Sequence, residues 1–403
     1  MPATTLAGDA AVAHRPVEGA GRVRLGSVDM LRGVVMVVMA LDHVRDYFTE
    51  VRFDPTDLSQ AGTALFLTRW ITHVCAPAFV FLAGTSAFFA GAHRSRGELA
   101  RFLLTRGLWL VVLEFTVVRW AWMFNLNYTT EFLFVQVIWA IGVSMMVLAA
   151  LIWLPLPAIA AVGIATIAGH NALDGVTPAS LGAWGPVWAV LHVQTTVSIG
   201  AQRAVFVAYP LLPWIGVMAA GYAFGALLTV PAAERRRRLL LLGGALTLAF
   251  VVLRATNLYG DPSPWTDQGS PGRTLLSFLN TTKYPPSLLF LLMTLGPSIM
   301  ALPLLEGLSG PVARFFRTIG RVPLFYYVLH LYLIHAAALA IGTLAGFPPS
   351  AFLTVWLRLP EGWGYSLPVV YLLWAGVVLA LYPACRWFAG VKARRRDAWL
   401  SYV

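Results

Sequence analysis

The sequence predicts an all-α, polytopic integral membrane protein of about ten transmembrane helices, and three observations predict it. The 403 residues are 58% hydrophobic and 12% charged, whereas soluble chains average about 25% charged residues. Apolar runs long enough to span a bilayer, about 20 residues each, recur along the whole length. Basic residues cluster in alternate connections between those runs, as the positive-inside rule requires.

Taken in order, residues 1–26 are rich in Ala, Gly and Arg and lack a long apolar core, which predicts a disordered cytoplasmic tail rather than a signal peptide. Spans are predicted near 28–47, 64–92, 102–125, 132–153, 156–170, 204–229, 239–256, 286–304, 322–345 and 366–388. Together they make one membrane domain, 27–388, followed by a basic cytoplasmic tail, 389–403. In the first span Ser27 or Asp29 can cap the helix start, where a carboxylate suits the dipole, and Asp29 and Arg32 can pair across one turn. The 171–203 connection holds GPVWAVLHVQ, a candidate short interfacial helix, and the 257–285 connection, with DPSPW and GSPG turns, reads as irregular.

One set of connections carries Arg15, Arg22 and Arg24, then Arg94, Arg96 and Arg101, then Arg235 to Arg238, then Arg314, Arg317 and Arg321, then Lys392 and Arg394 to Arg396. The other set is poor in basic residues and holds Glu50, Asp54, Asp57, Asp174, Asp261 and Asp267. The alternation holds with ten spans and fails with nine, which places both termini in the cytoplasm. The net charge of +11 would suggest nucleic acid in a soluble chain. Here the basic residues flank apolar runs, so the expected partner is the lipid bilayer and no nucleic acid. With two lysines among 29 basic residues, the composition points to a GC-rich bacterium and its plasma (inner) membrane. A homo-oligomer is compatible with all of this.

Ionisable residues inside spans are functional candidates. In ALDHVRDYF, His43 lies eleven residues beyond Arg32, about 16 Å along a helix axis, with Asp42 adjacent and Asp46 at i+3. A histidine held by a carboxylate is a general-base arrangement, and Asp46 is the better-placed orienting partner. Set against that is ordinary interfacial polarity at a helix end. Arg69 and His73, four apart in LFLTRWITHVCAPAFVFLAG, share one helix face and approach the depth of His43 from the opposite direction. The structural alternative has Arg69 snorkelling and His73 bonding a carbonyl. Glu114 and Arg119 are expected to pair with other helices, and Arg203 and Arg254 to snorkel. His330 and His335, five apart, suit structural hydrogen bonds, with a lining role open to His330. Cys75 and Cys385 give neither a disulfide framework nor metal spacing. No HExxH, CxxC or phosphate loop occurs, so no metal is expected.

Asp29, Arg32, Gly33 and His43 resemble the first-helix signature of membrane acyltransferase family 3: Asp-x-x-Arg-Gly with a histidine eleven residues after the arginine. In that family the histidine is the proposed base, and the arginine matters for acyl-donor use. The closer resemblance is to the bacterial relatives of heparan-α-glucosaminide N-acetyltransferase. It is carried by SVDMLRG, ALDHVRDYF, LFLTRWITHVCAPAFVFLAG, YPLLPWIGVMAAGYAFG, KYPPSLLFLLMTLGP and GRVPLFYYVLHLYLIH.

The resemblance implies a transmembrane acyltransferase-like bundle. It also implies transfer of an acyl group, acetyl first among them, from cytosolic acyl-CoA as co-substrate to a sugar or glycan on the far side. Asp29 and Arg32 are then donor-binding candidates, His43, Asp46, Asp42 and His73 catalytic candidates, and Arg69, His73 and Lys283 acceptor-binding candidates. One departure stands out. The lysosomal enzymes carry their proposed histidine in the connection after the first helix, near an Asn-Gly pair, and residues 48–63 here contain neither. His43 fills the role by spacing, with His73 as the substitute. Two other classes remain: a transporter of a glycan or small anion, which would move substrate without CoA release, and a non-catalytic membrane protein, which would tolerate replacement of Arg32 and His43.

Overall fold

A computed structural model describes residues 26–128, 133–199, 203–395 and 397–402. The expected tail, with Arg15, Arg22 and Arg24, lies outside the described residues, as do Arg396 and the side chain of Arg203. The chain is mostly helical. The helices are α1 (Gly26–Phe48), α2 (Thr63–Gly91), α3 (96–123), α4 (Val137–Leu151), α5 (Leu156–Leu173), α6 (Gly185–His192), α7 (Leu211–Leu228) and α8 (Ala232–Thr256). They continue with α9 (Pro271–Leu279), α10 (Leu288–Leu305), α11 (Pro311–Gly320), α12 (Pro323–Leu344) and α13 (Leu367–Arg394).

Seven of these helices, α2, α5, α7, α8, α10, α12 and α13, are long and apolar enough to cross a membrane. The sequence predicts ten. The other three expected spans coincide with α1, α3 and α4. Charges within α1 and α3 and the 15 residues of α4 keep these three out of the apolar class. The all-α class holds for most of the described residues, with one small sheet added. Strands β1 (Leu133–Val135), β2 (Thr195–Ile199) and β3 (Arg203–Val207) form a small sheet in the order β1-β3-β2, with β1 parallel and β2 antiparallel to β3. Val197 and Phe134 stand opposite Val205 and Phe206 respectively. The candidate interfacial helix is present as α6. The 257–285 connection, expected to be irregular, contains α9, and α13 runs past the expected boundary at 388.

Helix α1 is central among the helices. At 23 residues it is about 34 Å long, and it packs against α2, α10, α11, α12 and α13. The chain is already helical at Gly26, the first described residue, so Ser27 and Asp29 lie within the helix rather than capping it. Asp29 there suits the positive end of the dipole, as Arg45 in the last turn suits the negative end. Gly33 explains how α11 comes so close. A Cβ on Gly33 would sit 1.8 Å from the Phe316 carbonyl oxygen, and one on Gly320 would sit 1.8 Å from the Asp29 carbonyl oxygen. Each glycine therefore lets the other helix's backbone touch it, as small residues do at membrane helix crossings. Around this centre α7 and α10 bury most of their length, while α5, α8 and α13 expose theirs, as an outer layer against lipid should.

Candidate active site

The last turns of α1 carry the polar cluster. Asp42 and Arg45 are buried, whereas His43 and Asp46, three apart and so on one face, are half-buried. Arg45 binds both neighbouring carboxylates, at 2.8 Å from Asp42 and 2.6 Å from Asp46. Arg69 reaches Asp42 from α2, so it pairs instead of snorkelling. Asp46, expected from the sequence to orient His43, bonds Arg45 through Oδ1, and the side-chain hydrogen bond of His43 goes elsewhere. It does not go to Asp42 either, which is held between Arg45 and Arg69.

The partner of His43 is His330 on α12. His43 Nδ1 lies 2.6 Å from His330 Nε2, and the two rings stack with centroids 4.9 Å apart. The tautomers follow from the next bond. His330 Nδ1 is 3.0 Å from the Tyr326 carbonyl oxygen, which can only accept, so His330 carries its proton on Nδ1 and presents a lone pair at Nε2. His43 must then donate from Nδ1, and its own Nε2 keeps a lone pair. A chain of carbonyl, imidazole and imidazole thus does what a carboxylate does in the usual arrangement: it fixes the tautomer in which the far nitrogen is basic. Trp122 meets the His43 ring edge-on at 5.0 Å. The sequence pointed to His330 only as a possible lining residue, because its pairing with a residue 287 positions away leaves no local pattern.

Lys283, on the segment leading into α10, is within electrostatic reach of Asp42, His43 and His73. Its neighbour Tyr284 was not anticipated. Burial opposes ionisation of the Tyr284 phenol, yet Lys283 and Arg69, with a hydrogen bond from Tyr209, hold its pKa below the ordinary value. Its signal in the sequence was its place beside Lys283 in the resembling segment KYPPSLLF. His73 sits in a single 3₁₀ turn that interrupts α2. It is buried, and its Nδ1 has no hydrogen-bond partner among the described residues, so no carbonyl accepts from that nitrogen.

Asp29 and Arg32 stand at the opposite end of α1. They pair at 3.7 Å, and Arg32 also donates to the Leu82 carbonyl at 3.0 Å and to Ser86 on α2. Arg321 approaches Asp29 at 3.7 Å, and Arg106 is within electrostatic reach of Arg32. This end of α1 is therefore cationic.

The remaining intramembrane polar groups are structural. Glu114 opens a π-helical turn in α3, Glu114–Val118, and its carboxylate accepts from the Gln136 and Trp139 N–H groups at 3.2 and 3.0 Å, at the start of α4. Arg119 donates to the Asn125 carbonyl at 2.7 Å and lies 3.9 Å over the Tyr128 ring. Arg254 does not snorkel. It is buried and gathers the carbonyls of Ser263, Ser277, Phe278 and Asn280. His335 brings Nδ1 and Nε2 to 2.8 and 2.6 Å from the Ala121 and Phe352 carbonyls, and the neutral ring donates to one of them. One surface depression, about 730 Å³, is lined by Trp265, Asp267 and α9 residues and contains none of the candidate residues.

The fold and this geometry define a class: an integral membrane protein whose central helix carries a paired histidine and a charge cluster at one end and a cationic site at the other. The chain belongs to the heparan-alpha-glucosaminide N-acetyltransferase catalytic family, whose model matches residues 24–255. This makes it an acetyltransferase-type membrane protein. No curated protein matches the chain. The matched stretch holds Asp29, Arg32, His43, Arg69 and His73; Lys283 and His330 lie beyond it.

Proposed function

We propose that this protein transfers an acyl group, acetyl first among them, from cytosolic acyl-CoA to a sugar or glycan acceptor on the opposite side of the membrane. The observation that carries the reading is the His43–His330 pair. It leaves a half-buried His43 with its Nε2 lone pair at one end of the helix whose other end carries Arg32. In this reading the CoA phosphates bind near Arg32, Arg106 and Arg321, and the thioester reaches along α1 toward His43. An acceptor hydroxyl or amine gives its proton to His43 Nε2 as it attacks the thioester carbonyl. The carbon–sulfur bond then breaks, and the CoA sulfur leaves and recovers that proton. Lys283 and Arg69 supply positive potential for the oxyanion. Asp42 and Asp46 hold Arg45 and Arg69 in place, and His73, buried behind Arg69, packs that arrangement. The donor needs no metal in this scheme.

The test is acetyl-CoA binding to purified protein by calorimetry, together with CoA release in the presence of acceptor. Micromolar binding is expected, lost in Arg32→Ala and kept in His43→Ala. CoA release in His43→Ala is expected to fall by about 10² to 10⁴, the usual contribution of a general base. A protein that binds neither acetyl-CoA nor longer acyl-CoAs would overturn the reading in favour of a transporter.

A further inference from the structure

A second histidine pair lies outside the site described above. His170 ends α5 and His192 ends α6, and both are buried. His170 Nδ1 and His192 Nε2 are 3.2 Å apart, and Asp174 Oδ1 is 3.7 Å from the same His192 nitrogen. All three potential ligand atoms lie within 4.8 Å of one another. In a tetrahedral zinc site with bonds of about 2.0 to 2.1 Å, ligand atoms stand about 3.3 Å apart. The three atoms are therefore already close to the spacing that a single ion would impose.

We propose that His170, Asp174 and His192 bind one divalent transition-metal ion, zinc by the chemistry of the set. Two imidazole nitrogens and one carboxylate oxygen suit zinc and exclude a calcium-type oxygen cage. The surroundings match what metal ligands require. Asn171 Nδ2 donates to Asp174 Oδ2 at 2.9 Å, which fixes the carboxylate with its other oxygen toward His192. Carboxylates that bind metals are held by such outer partners, whereas His170 Nε2 is buried with no hydrogen-bond partner among the described residues. Asp174 is the exposed member, so the fourth position is left to water.

The ion would tie the end of α5 to the end of α6 across residues 175–191. Asn171 Oδ1 accepts from the Leu288 N–H at 2.8 Å, which joins this corner to the start of α10, the helix that Lys283 precedes. The sequence shows no metal pattern because Asp174 and His192 are separated by that whole loop. The proposal does not depend on acyl transfer.

The experiment uses untagged full-length protein in detergent, stripped with a chelator and titrated with Zn²⁺ or Co²⁺. One ion per chain is expected, with a micromolar or tighter Kd, and Co²⁺ should show the intense visible bands of a four-coordinate site. His192→Gln and Asp174→Asn should each weaken binding at least about 100-fold, and Asn171→Leu about 10-fold, the scale of an outer-partner loss. His43→Ala should bind as tightly as the wild type, which separates this site from the other histidine pair. X-ray absorption on the zinc-loaded wild type, which needs no variant to fold, should give two imidazole nitrogens at about 2.0 Å. A stripped wild type that takes up no stoichiometric metal would overturn the proposal and leave an N–H···N hydrogen bond between the two rings. So would an all-oxygen shell, or uptake unchanged in His192→Gln.

Discussion

Two pairs of histidines make the same kind of contact and differ in everything around it. In both, an Nδ1 faces an Nε2: His43 and His330 at 2.6 Å with parallel rings, His170 and His192 at 3.2 Å with rings inclined at 63°. The first pair is backed by a carbonyl, Tyr326, and the Asp42 and Asp46 carboxylates beside it are held by arginines. The second has Asp174 at 3.7 Å from the shared nitrogen. The difference lies in what the contact leaves over. The first pair fixes protons in one direction and leaves a basic nitrogen on His43. The second brings three potential ligand atoms within 4.8 Å of one another, the spacing on which the proposed ion site rests.

The largest effect that would break this contrast is on His330. If its role is to hold the His43 tautomer, His330→Ala should lower kcat about 100-fold, the scale of a misplaced reacting group, with acyl-CoA binding unchanged. His330→Gln can still accept from His43 Nδ1 through its amide oxygen, so it should recover much of that loss. Equal losses in Ala and Gln would mean that packing alone is at work. For the other pair the expected readout is stability. At a metal concentration of about 100 times Kd, binding adds about 2.7 kcal/mol, so the wild type should melt higher with zinc than without, and His192→Gln should not respond. A melting temperature insensitive to zinc would remove the contrast from that side.

Stability also separates the catalytic candidates from the structural polar groups. Glu114→Leu would leave the buried N–H groups at the start of α4 without their acceptor, at about 1 to 3 kcal/mol each. The expected result is a lower melting temperature with acyl-CoA binding intact in the folded fraction.

Much of this was legible in the sequence, for reasons that particular residues make plain. Composition and run length place the helices, and each expected span has a helix on it. The count of apolar spans was not legible, because α1 and α3 are charged where they face protein rather than lipid. Asp29 and Arg32 were singled out by resemblance, and helix geometry turns their spacing from His43 into positions along one rod. Gly33 was found by resemblance, and its reason, the Phe316 carbonyl against it, appears only when two helices are placed. The partners of His43 and His170 were not legible, since both contacts join distant segments. The small sheet was missed because three short strands inside connections have no apolar period long enough to read.

The smallest expected effect is the sharpest test of what the sequence alone suggested. One helical turn separates His43 from Asp46, and that spacing predicts a carboxylate that orients the base. In the structure Arg45 lies between the two carboxylates and binds both, so the charge on Asp46 neutralises an arginine instead of holding an imidazole. Asp46→Asn should then keep an acceptor for Arg45 and reduce kcat by no more than about threefold, the scale of a partly exposed ion pair worth less than about 1 kcal/mol. If His43 needed Asp46, the same substitution would remove a charge-assisted bond to the base, and the loss would approach that of His330→Ala. The ranking of the two variants, measured as kcat at saturating acyl-CoA, therefore decides which residue orients His43. The contacts of His43 and Asp46 predict that the distant imidazole matters more than the carboxylate one turn away.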